Sequence, residues 1–336
     1  MPCPYKDDFT TSRLTDFVRE HGQGIAVTTR AEPLLGSLEF SPRRPHWAAW
    51  LPYLLALPIV VYEALFIVYP IVLGLRSSFY QQPLGGQERW TGFTNYGRML
   101  GDAGFWAVMR TTLVYMLAVV VVAVGFGLFA ALVLNRQFRG RTFARGLMTV
   151  PWAFPDVPTV LIFLWMLNPN FGVMNVFAGF LPWIEHNPTW LLDQRLAFFS
   201  VVLVTAWKGF PFYSLVILAA LQAVPADLVE AARVDGASQR QAFFAVTLPV
   251  ISPTLMLLTV LASIYSFKQF TIIWLLTGGG PVGATETIAI RIYNTAFRFY
   301  DFSYAGVLGV AGFVLALTVA LIFLTIQRRQ EQGVAG

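Results

Sequence analysis

Six long apolar stretches constrain this sequence more than any other feature. Each has roughly the 20 mostly apolar residues that an α-helix needs to cross the ~30 Å hydrocarbon core of a bilayer. Of all residues, 56% are hydrophobic and only 12% are charged, which is more apolar than a water-soluble domain requires. Because a backbone in lipid must satisfy its own hydrogen bonds, the stretches are predicted to be helices. The predicted spans are residues 50–73, 111–134, 147–167, 196–221, 250–276 and 305–326.

Arginines indicate how the spans are oriented. The link between the second and third spans carries four arginines and no acid, and further pairs flank the first and last spans. Short basic segments stay on the cytoplasmic side, so both termini are predicted to be cytoplasmic. The net charge of +5 therefore needs no nucleic-acid partner. The arginines concerned are Arg43, Arg44, Arg136, Arg139, Arg141, Arg145, Arg328 and Arg329.

The two ends of the chain flank a predicted membrane domain of residues 48–328. Residues 1–47 are mixed polar and hold no apolar run of signal-peptide type, so they are predicted to be a cytoplasmic tail. Residues 329–336 are predicted to be a second, shorter cytoplasmic tail.

The sequence lacks the residues that several classes of enzyme need for their chemistry. His21, His46 and His186 all lie outside the spans, which leaves no intramembrane imidazole for a serine–histidine dyad or a metal site. Cys3 is the single cysteine and has no partner for an intrachain disulfide. No segment matches the phosphate-binding pattern G-x-x-x-x-G-K-[ST]. The chain is predicted to be no enzyme and to hold no metal or cofactor, so any ATP would be bound by another subunit.

A polar segment between the fourth and fifth spans, residues 224–249, is predicted to form a helix-turn-helix that we call the elbow. Pro225 suits the first turn of a helix, and Gly236 suits the left-handed residue that ends one. Ser238 with Gln241 three residues later is a capping-box pattern, which would start a second helix running to the end of the elbow. The arginine pattern puts the elbow on the cytoplasmic face.

Three features of the elbow occur together at fixed spacing: Glu230-Ala231-Ala232, Gly236 and the terminal Leu248-Pro249. This arrangement resembles the EAA signature of inner-membrane subunits of binding-protein-dependent ABC importers, with Val246 where that family often has isoleucine. Over residues 48–328, further segments are similar to the maltose-type sugar permeases. They are Asn168-Pro169-Asn170-Phe171-Gly172, residues 206–212, residues 276–281 with Thr285-Glu286-Thr287, and Ala296-Phe297-Arg298 with Asp301.

The resemblance implies an all-α type I ABC importer permease fold in a bacterial or archaeal inner membrane. This chain would pair with a second permease, related but not identical. Two ATPase subunits would bind ATP and Mg²⁺. An extracytoplasmic binding protein would deliver a carbohydrate, which the resemblance implies is an oligosaccharide, a disaccharide or a sugar-alcohol derivative such as a sugar-alcohol phosphate. The elbow would enter the ATPase as a coupling helix, so that closure of the ATPase dimer drives alternating access. The implied coupling residues are Glu230, Ala231, Ala232, Asp235 and Gly236.

Polar side chains inside the predicted spans mark a second candidate site, because such groups are costly in lipid unless they meet partners, water or substrate. The prolines of residues 151–158 interrupt the third span beside Asp156, and interrupted helices can line a midplane site. A sugar needs aromatic faces as well as hydrogen-bonding groups. The candidate substrate-binding residues, mostly at positions that resemble the family's sugar contacts, are Trp152, Asp156, Thr205, Lys208, Gly209, Phe212, Tyr265, Ser266 and Gln269.

Other interpretations stay open from the sequence alone. The aromatic residues can equally be packing residues, and Asp156 with Lys208 can be a structural ion pair. An ion-coupled secondary transporter would use Asp156, Glu63 and Lys268, although no inverted repeat is visible. The same importer architecture could carry phosphate, an amino acid or a peptide. A membrane scaffold would leave the intramembrane charges without a purpose.

Overall fold

The computed structural model describes residues 46–81, 86–180 and 187–335, and it divides into two compact units, Met1–Val61 and Tyr62–Gly336. The predicted tail of residues 1–47 lies almost wholly outside the described residues. Described residues of the first unit are helical, although Pro52 and Pro58 lie inside the helix. Their large apolar side chains, such as that of Trp50 (72% exposed), are open to the surroundings. An apolar surface of this kind suits lipid.

The described part of the chain is mostly helical. Its one strand pairing is a short antiparallel hairpin in which Tyr80 lies opposite Trp90, from β1 (Tyr80–Gln81) and β2 (Arg89–Trp90). The helices are α1 (His46–Glu63), α2 (Tyr69–Ser78), α3 (Thr94–Gly101), α4 (Ala103–Asn135), α5 (Arg141–Ala153), α6 (Asp156–Met166), α7 (Met174–Gly179), α8 (Gln194–Gln222), α9 (Ala226–Val234), α10 (Gln239–Ala242), α11 (Leu248–Phe267), α12 (Thr271–Leu276), α13 (Ile288–Tyr293) and α14 (Phe302–Ala335). Three wider π-helical turns are Ala64–Val68, Phe243–Thr247 and Asn294–Arg298.

Five continuous helical stretches among the described residues are long and apolar enough to cross a membrane, and a sixth span is a bent pair of helices. The pair, α5 and α6, meets at an angle of 96°. The prediction of an all-α membrane protein with about six spans is confirmed. The five continuous stretches are Trp50–Ser78, Ala103–Asn135, Gln194–Gln222, Gln239–Phe267 and Phe302–Thr325.

Helices α4 and α8 pack side by side and run parallel. Near their starts, the Tyr115 hydroxyl hydrogen-bonds to Thr205 Oγ1 at 2.9 Å. Further along both helices, Gly127 approaches Tyr213 so closely that an added Cβ would lie 2.9 Å from Tyr213 Cβ. Lipid is as apolar as a leucine side chain, so moving a side chain from lipid to a helix interface gains little hydrophobic free energy. This helix pair is instead stabilised by close packing and by buried hydrogen bonds. The parallel course places the elbow after α8 at the same end as the basic link after α4.

A second close crossing joins α2 to α14. An added Cβ on Gly306 would lie 2.7 Å from the Gly74 carbonyl oxygen and 2.7 Å from Ser77 Oγ. Ser77 Oγ in turn donates to the Gly74 carbonyl at 2.9 Å. The crossing is a small-residue contact of the kind that allows two membrane helices to approach closely.

The elbow and the fifth span differ from the prediction. The second elbow helix does not end at Pro249; it continues through the π-helical turn Phe243–Thr247 into α11, where the proline occupies the first turn. The wider turn accommodates a residue that has no N–H to donate. The predicted fifth span, residues 250–276, was wrong at its end: α11 stops at Phe267, and Thr271–Leu276 is a separate short helix.

Charged side chains tie several elements together at the end of the bundle opposite the elbow. Arg291 lies between Asp102, at 3.7 Å, and Glu286, at 3.4 Å. The Tyr304 hydroxyl donates to Asp102 Oδ2 at 3.1 Å. Arg98 pairs with Asp301 at 2.9 Å. These contacts join α3, the N-terminal end of α4, α13 and the start of α14 to the segment that holds Thr285-Glu286-Thr287.

Candidate substrate cavity and elbow

The break between α5 and α6 shapes the candidate site. Phe154 and Pro155 have extended backbone conformations there, and neither Pro155 nor Pro158 has an N–H to give to a preceding carbonyl. The broken turn therefore leaves a backbone acceptor without an intrahelical partner. The Phe154 carbonyl accepts a hydrogen bond from Lys208 Nζ of α8. A lysine of one span thus satisfies the broken backbone of another.

Lys208 also forms an ion pair with Asp156, whose Oδ1 lies 3.1 Å from Nζ. The lysine side chain is only 8% exposed, whereas that of Asp156 is 35% exposed. The structural ion pair, which was one of the two interpretations left open by the sequence, is therefore present. The same two residues also line a cavity, so the structural interpretation and the substrate interpretation are compatible.

The cavity has a volume of about 590 Å³ and lies between α5, α6, α8 and α11. Six of the nine predicted substrate residues line it, together with four residues that the prediction left out. The six are Trp152, Asp156, Lys208, Gly209, Phe212 and Tyr265. The four additional lining residues are Tyr213, Leu261, Ile264 and Lys268.

Aromatic side chains form one wall. The rings of Trp152 and Phe212 stack with centroids 5.9 Å apart and an angle of 26° between their planes. Trp152 is 54% exposed, so much of the indole is available to another molecule. Gly209 lies against the Tyr213 ring, because a Cβ added at this position would lie only 3.3 Å from that ring.

The other three predicted substrate residues do not line the cavity. Thr205 is 1% exposed and is hydrogen-bonded to Tyr115. Ser266 is 1% exposed and donates to the Ala262 carbonyl of its own helix at 2.7 Å. Gln269 is buried behind the wall and donates from Nε2 to the Tyr265 hydroxyl at 3.3 Å. Thr205 and Ser266 therefore serve helix packing, whereas Gln269 positions a residue that does line the cavity.

Two further charged residues of the predicted spans, Lys268 and Glu63, lie in different surroundings. Lys268, which the sequence marked as polar but did not assign to the site, lines the cavity and is exposed. Its side chain has no ion pair or hydrogen bond within the described residues. Glu63 is exposed near the middle of the first span and also lacks such a partner in the described part of the chain.

The elbow has the local structure that its sequence predicts. Gly236 has a φ of +87°, and the Ala237 N–H donates to the Ala232 carbonyl at 2.9 Å, which completes a Schellman end to α9. Ser238 and Gln241 form the reciprocal capping box that starts α10. Both elements of this prediction are confirmed.

The elbow also carries apolar side chains on its exposed surface. Val234, one residue before the end cap of α9, is 87% exposed, and Leu228 of the same helix is 49% exposed. Glu230 and Asp235 are exposed beside them. The elbow therefore exposes both apolar and charged side chains.

About six spans, a cavity lined by aromatic and charged groups at a broken helix, and an exposed elbow together define a membrane transport component. Residues 123–336 match the family described as binding-protein-dependent transport system inner membrane component. The chain belongs to this family of inner-membrane transport proteins.

Named relatives align over most of the chain. The trehalose/maltose transport system permease protein MalF of Thermococcus litoralis is 34% identical over 281 residues, covering 83% of this chain and 94% of that protein. The sulfoquinovosyl glycerol transport system permease protein SmoG of Agrobacterium fabrum is 33% identical, covering 85% of this chain and 96% of that protein. This chain is therefore similar to permease subunits along nearly their full length.

A solved structure has the same fold. A chain in the crystal structure of a bacterial ABC transporter involved in the import of the acidic polysaccharide alginate matches with a TM-score of 0.72, over 84% of this chain and 96% of that chain. The sequence identity is 24%, so this comparison establishes the permease fold and not the cargo.

Proposed function

We propose that this chain is a permease subunit of an ATP-driven importer and that it moves a carbohydrate through the cavity beside the α5–α6 break. The observation that carries this proposal is the stacked pair Trp152 and Phe212 beside Asp156, Lys208 and Tyr265. An aromatic face binds the C–H surface of a sugar ring, and charged or hydroxyl groups next to it bind sugar hydroxyls. The cavity brings both kinds of group together.

The proposed assembly has the partners that the sequence resemblance implies. A second permease, related but not identical, would complete the pathway. Two ATPase subunits would bind ATP and Mg²⁺, and an extracytoplasmic binding protein would deliver the sugar. The exposed apolar surface of the elbow supports ATPase docking at Glu230, Ala231, Ala232, Asp235 and Gly236. In this arrangement the elbow and both termini are cytoplasmic.

The importer is preferred over an ion-coupled secondary transporter. Asp156 is already compensated by Lys208 at 3.1 Å, which leaves it a poor site for a transported cation. Membership of a binding-protein-dependent family supports the same choice. A carbohydrate is preferred over other solutes because the cavity wall is aromatic and the named relatives carry glycosides.

The first experiment tests partner binding. The chain is expressed with the products of its neighbouring genes and purified through an affinity tag, as wild type and as Val234→Asp. We expect the wild type to retain an ATPase and Val234→Asp to lose it, because a carboxylate would be placed on the apolar docking surface. Val282→Asp is the matched control, since Val282 is 90% exposed but lies in the segment at the opposite end.

The second experiment tests transport. The purified complex is placed in liposomes with the accompanying binding protein, which has first been screened for the carbohydrate it binds. We expect uptake only when ATP is present on the side of the liposome membrane that the ATPase subunits face. Uptake that follows a proton or sodium gradient in the absence of an ATPase would overturn the proposal.

A further inference from the structure

The charges that line the cavity do not cancel. Asp156 and Lys208 compensate each other at 3.1 Å, and the third ionic side chain, Lys268, has no acid within ion-pair distance in the described residues. The lining therefore has a net charge of +1, counted as two lysines against one aspartate. Lys268 is exposed to the cavity, and an ionic side chain within a membrane span that has no countercharge marks a ligand or partner site.

Hydrogen-bond donors exceed acceptors on the same wall. Lys208 already donates to the Phe154 carbonyl and to Asp156, whereas no donor of the Lys268 ammonium is used by the described residues. Tyr265 lies one turn before Lys268, and its hydroxyl oxygen accepts from Gln269. The hydroxyl hydrogen of Tyr265 is thereby left to donate into the cavity. Tyr265 and Lys268 present donors together, three residues apart in the sequence.

The C-terminal end of α11 compensates only part of the positive charge of Lys268. Lys268 is the residue that follows the last turn of this helix, where backbone carbonyls carry a partial negative charge of about half an electron. This field stabilises the ammonium. It leaves the hydrogen-bond donors of Nζ unused, and it does not supply the full countercharge.

We infer that Lys268, with Tyr265, binds an anionic group on the transported carbohydrate, so that the cavity takes glycosides bearing a carboxylate, sulfonate or phosphate. This inference rests on the carbohydrate importer proposed above. An anionic group supplies both what the wall lacks, a countercharge and hydrogen-bond acceptors, while the Trp152–Phe212 pair binds the ring. A neutral sugar that fills the cavity would displace water from Lys268 without supplying a countercharge, which is unfavourable.

The test uses glycosides that share one ring and one aglycone and differ only in the state of C6: a C6 hydroxyl, a C6 carboxylate, a C6 sulfonate or a phosphate ester on the C6 hydroxyl. The binding protein is screened against this panel, and uptake of each compound is measured with the complete complex in liposomes. The variants are Lys268→Gln and Lys268→Arg. Arg89→Gln is the control for general loss of a positive charge, because Arg89 is exposed in β2, outside the cavity.

We expect an anionic compound to be preferred and Lys268→Gln to lower its uptake roughly 10- to 100-fold, the usual range for a lost hydrogen bond to a charged group. Lys268→Arg should keep most of that uptake, and uptake of the neutral compound should not change. The inference fails if only the neutral compound is carried, if Lys268→Gln changes nothing, or if it lowers the uptake of both compounds equally, as a purely structural lysine would. The proposed function itself fails if the intact complex carries no glycoside of the panel and none that its binding protein selects.

Discussion

Lys208 Nζ lies 3.1 Å from Asp156 Oδ1 and also donates to the Phe154 carbonyl, so one ammonium group holds both sides of the bend between α5 and α6. The residue that compensates the acid is therefore the residue that satisfies the broken backbone. This double role explains how a 96° bend can be kept inside a membrane domain. It also fixes the position of Asp156 at the edge of the cavity.

Removal of this lysine should destabilise the folded permease. Lys208→Met leaves both Asp156 and the Phe154 carbonyl without their partner. We expect a loss of about 1–3 kcal/mol, towards the lower end because the Asp156 side chain is 35% exposed and partly screened. The change is measured by heating the protein in detergent and recording the fraction that remains monodisperse at each temperature. The double variant Asp156→Leu with Lys208→Met should recover part of the loss, because no unpaired charge remains. Additive losses would show that the two residues do not interact.

The exposed indole of the cavity should matter for transport more than for stability. Trp152→Ala removes the stacking face while leaving α5 intact. The expected result is a rise in KM for the carbohydrate of roughly 2- to 12-fold, corresponding to the ~0.5–1.5 kcal/mol of an aromatic contact. Concentration-dependent uptake into liposomes measures it. Trp165→Ala is the control, since Trp165 is 74% exposed on α6 and does not line the cavity. Equal effects of the two changes would contradict a substrate role.

The glycine of the elbow should be needed for coupling because of its backbone conformation. Gly236 has a φ of +87° and no atom within 4 Å of an added Cβ, so a substitution acts through backbone strain and not through a clash. We expect Gly236→Val to separate ATP hydrolysis from uptake, and Gly236→Asn to keep coupling because asparagine tolerates this conformation. The ratio of hydrolysed ATP to imported sugar is the measurement.

A second glycine provides the matched control for that experiment. Gly140 has a φ of +86° and is equally open, but it precedes α5 and not the elbow. Gly140→Val carries the same strain and should leave the coupling ratio unchanged. If both valine variants change the ratio alike, strain in any connecting segment would be sufficient, and the special role of the elbow would be lost.

The crossing of α2 and α14 should not tolerate a methyl group on one glycine. Gly306→Ala places Cβ 2.7 Å from the Gly74 carbonyl, which requires the helices to move apart. We expect a lower unfolding temperature in detergent. Gly309→Ala on the same helix has nothing within 4 Å and should be neutral or slightly stabilising, because alanine favours helix by about 1 kcal/mol over glycine. The opposite order of stabilities would show that the crossing is looser than described.

Local interactions made parts of this protein predictable. The length of each apolar run required a membrane helix, because a backbone in lipid has no other way to satisfy its polar groups. The left-handed Gly236 and the capping box of Ser238 and Gln241 depend only on residues a few positions apart, and the structure has both. The end of the fifth span was missed because the apolar run continues through residues 271–276, and composition alone cannot show where the backbone turns.

Only the tertiary structure determines which side chains of a span point into the cavity and which pack against neighbouring helices. Thr205 and Gly209 lie one turn apart on α8, yet Gly209 lines the cavity while Thr205 packs against Tyr115 of α4. Ser266 points back to its own helix, whereas its neighbour Tyr265 opens to the cavity. A soluble helix shows its buried face by a polar stripe on the other side. A membrane helix is apolar towards lipid and towards protein alike, so the sequence determines that it spans the bilayer, and only packing against the other helices determines which residues meet the substrate.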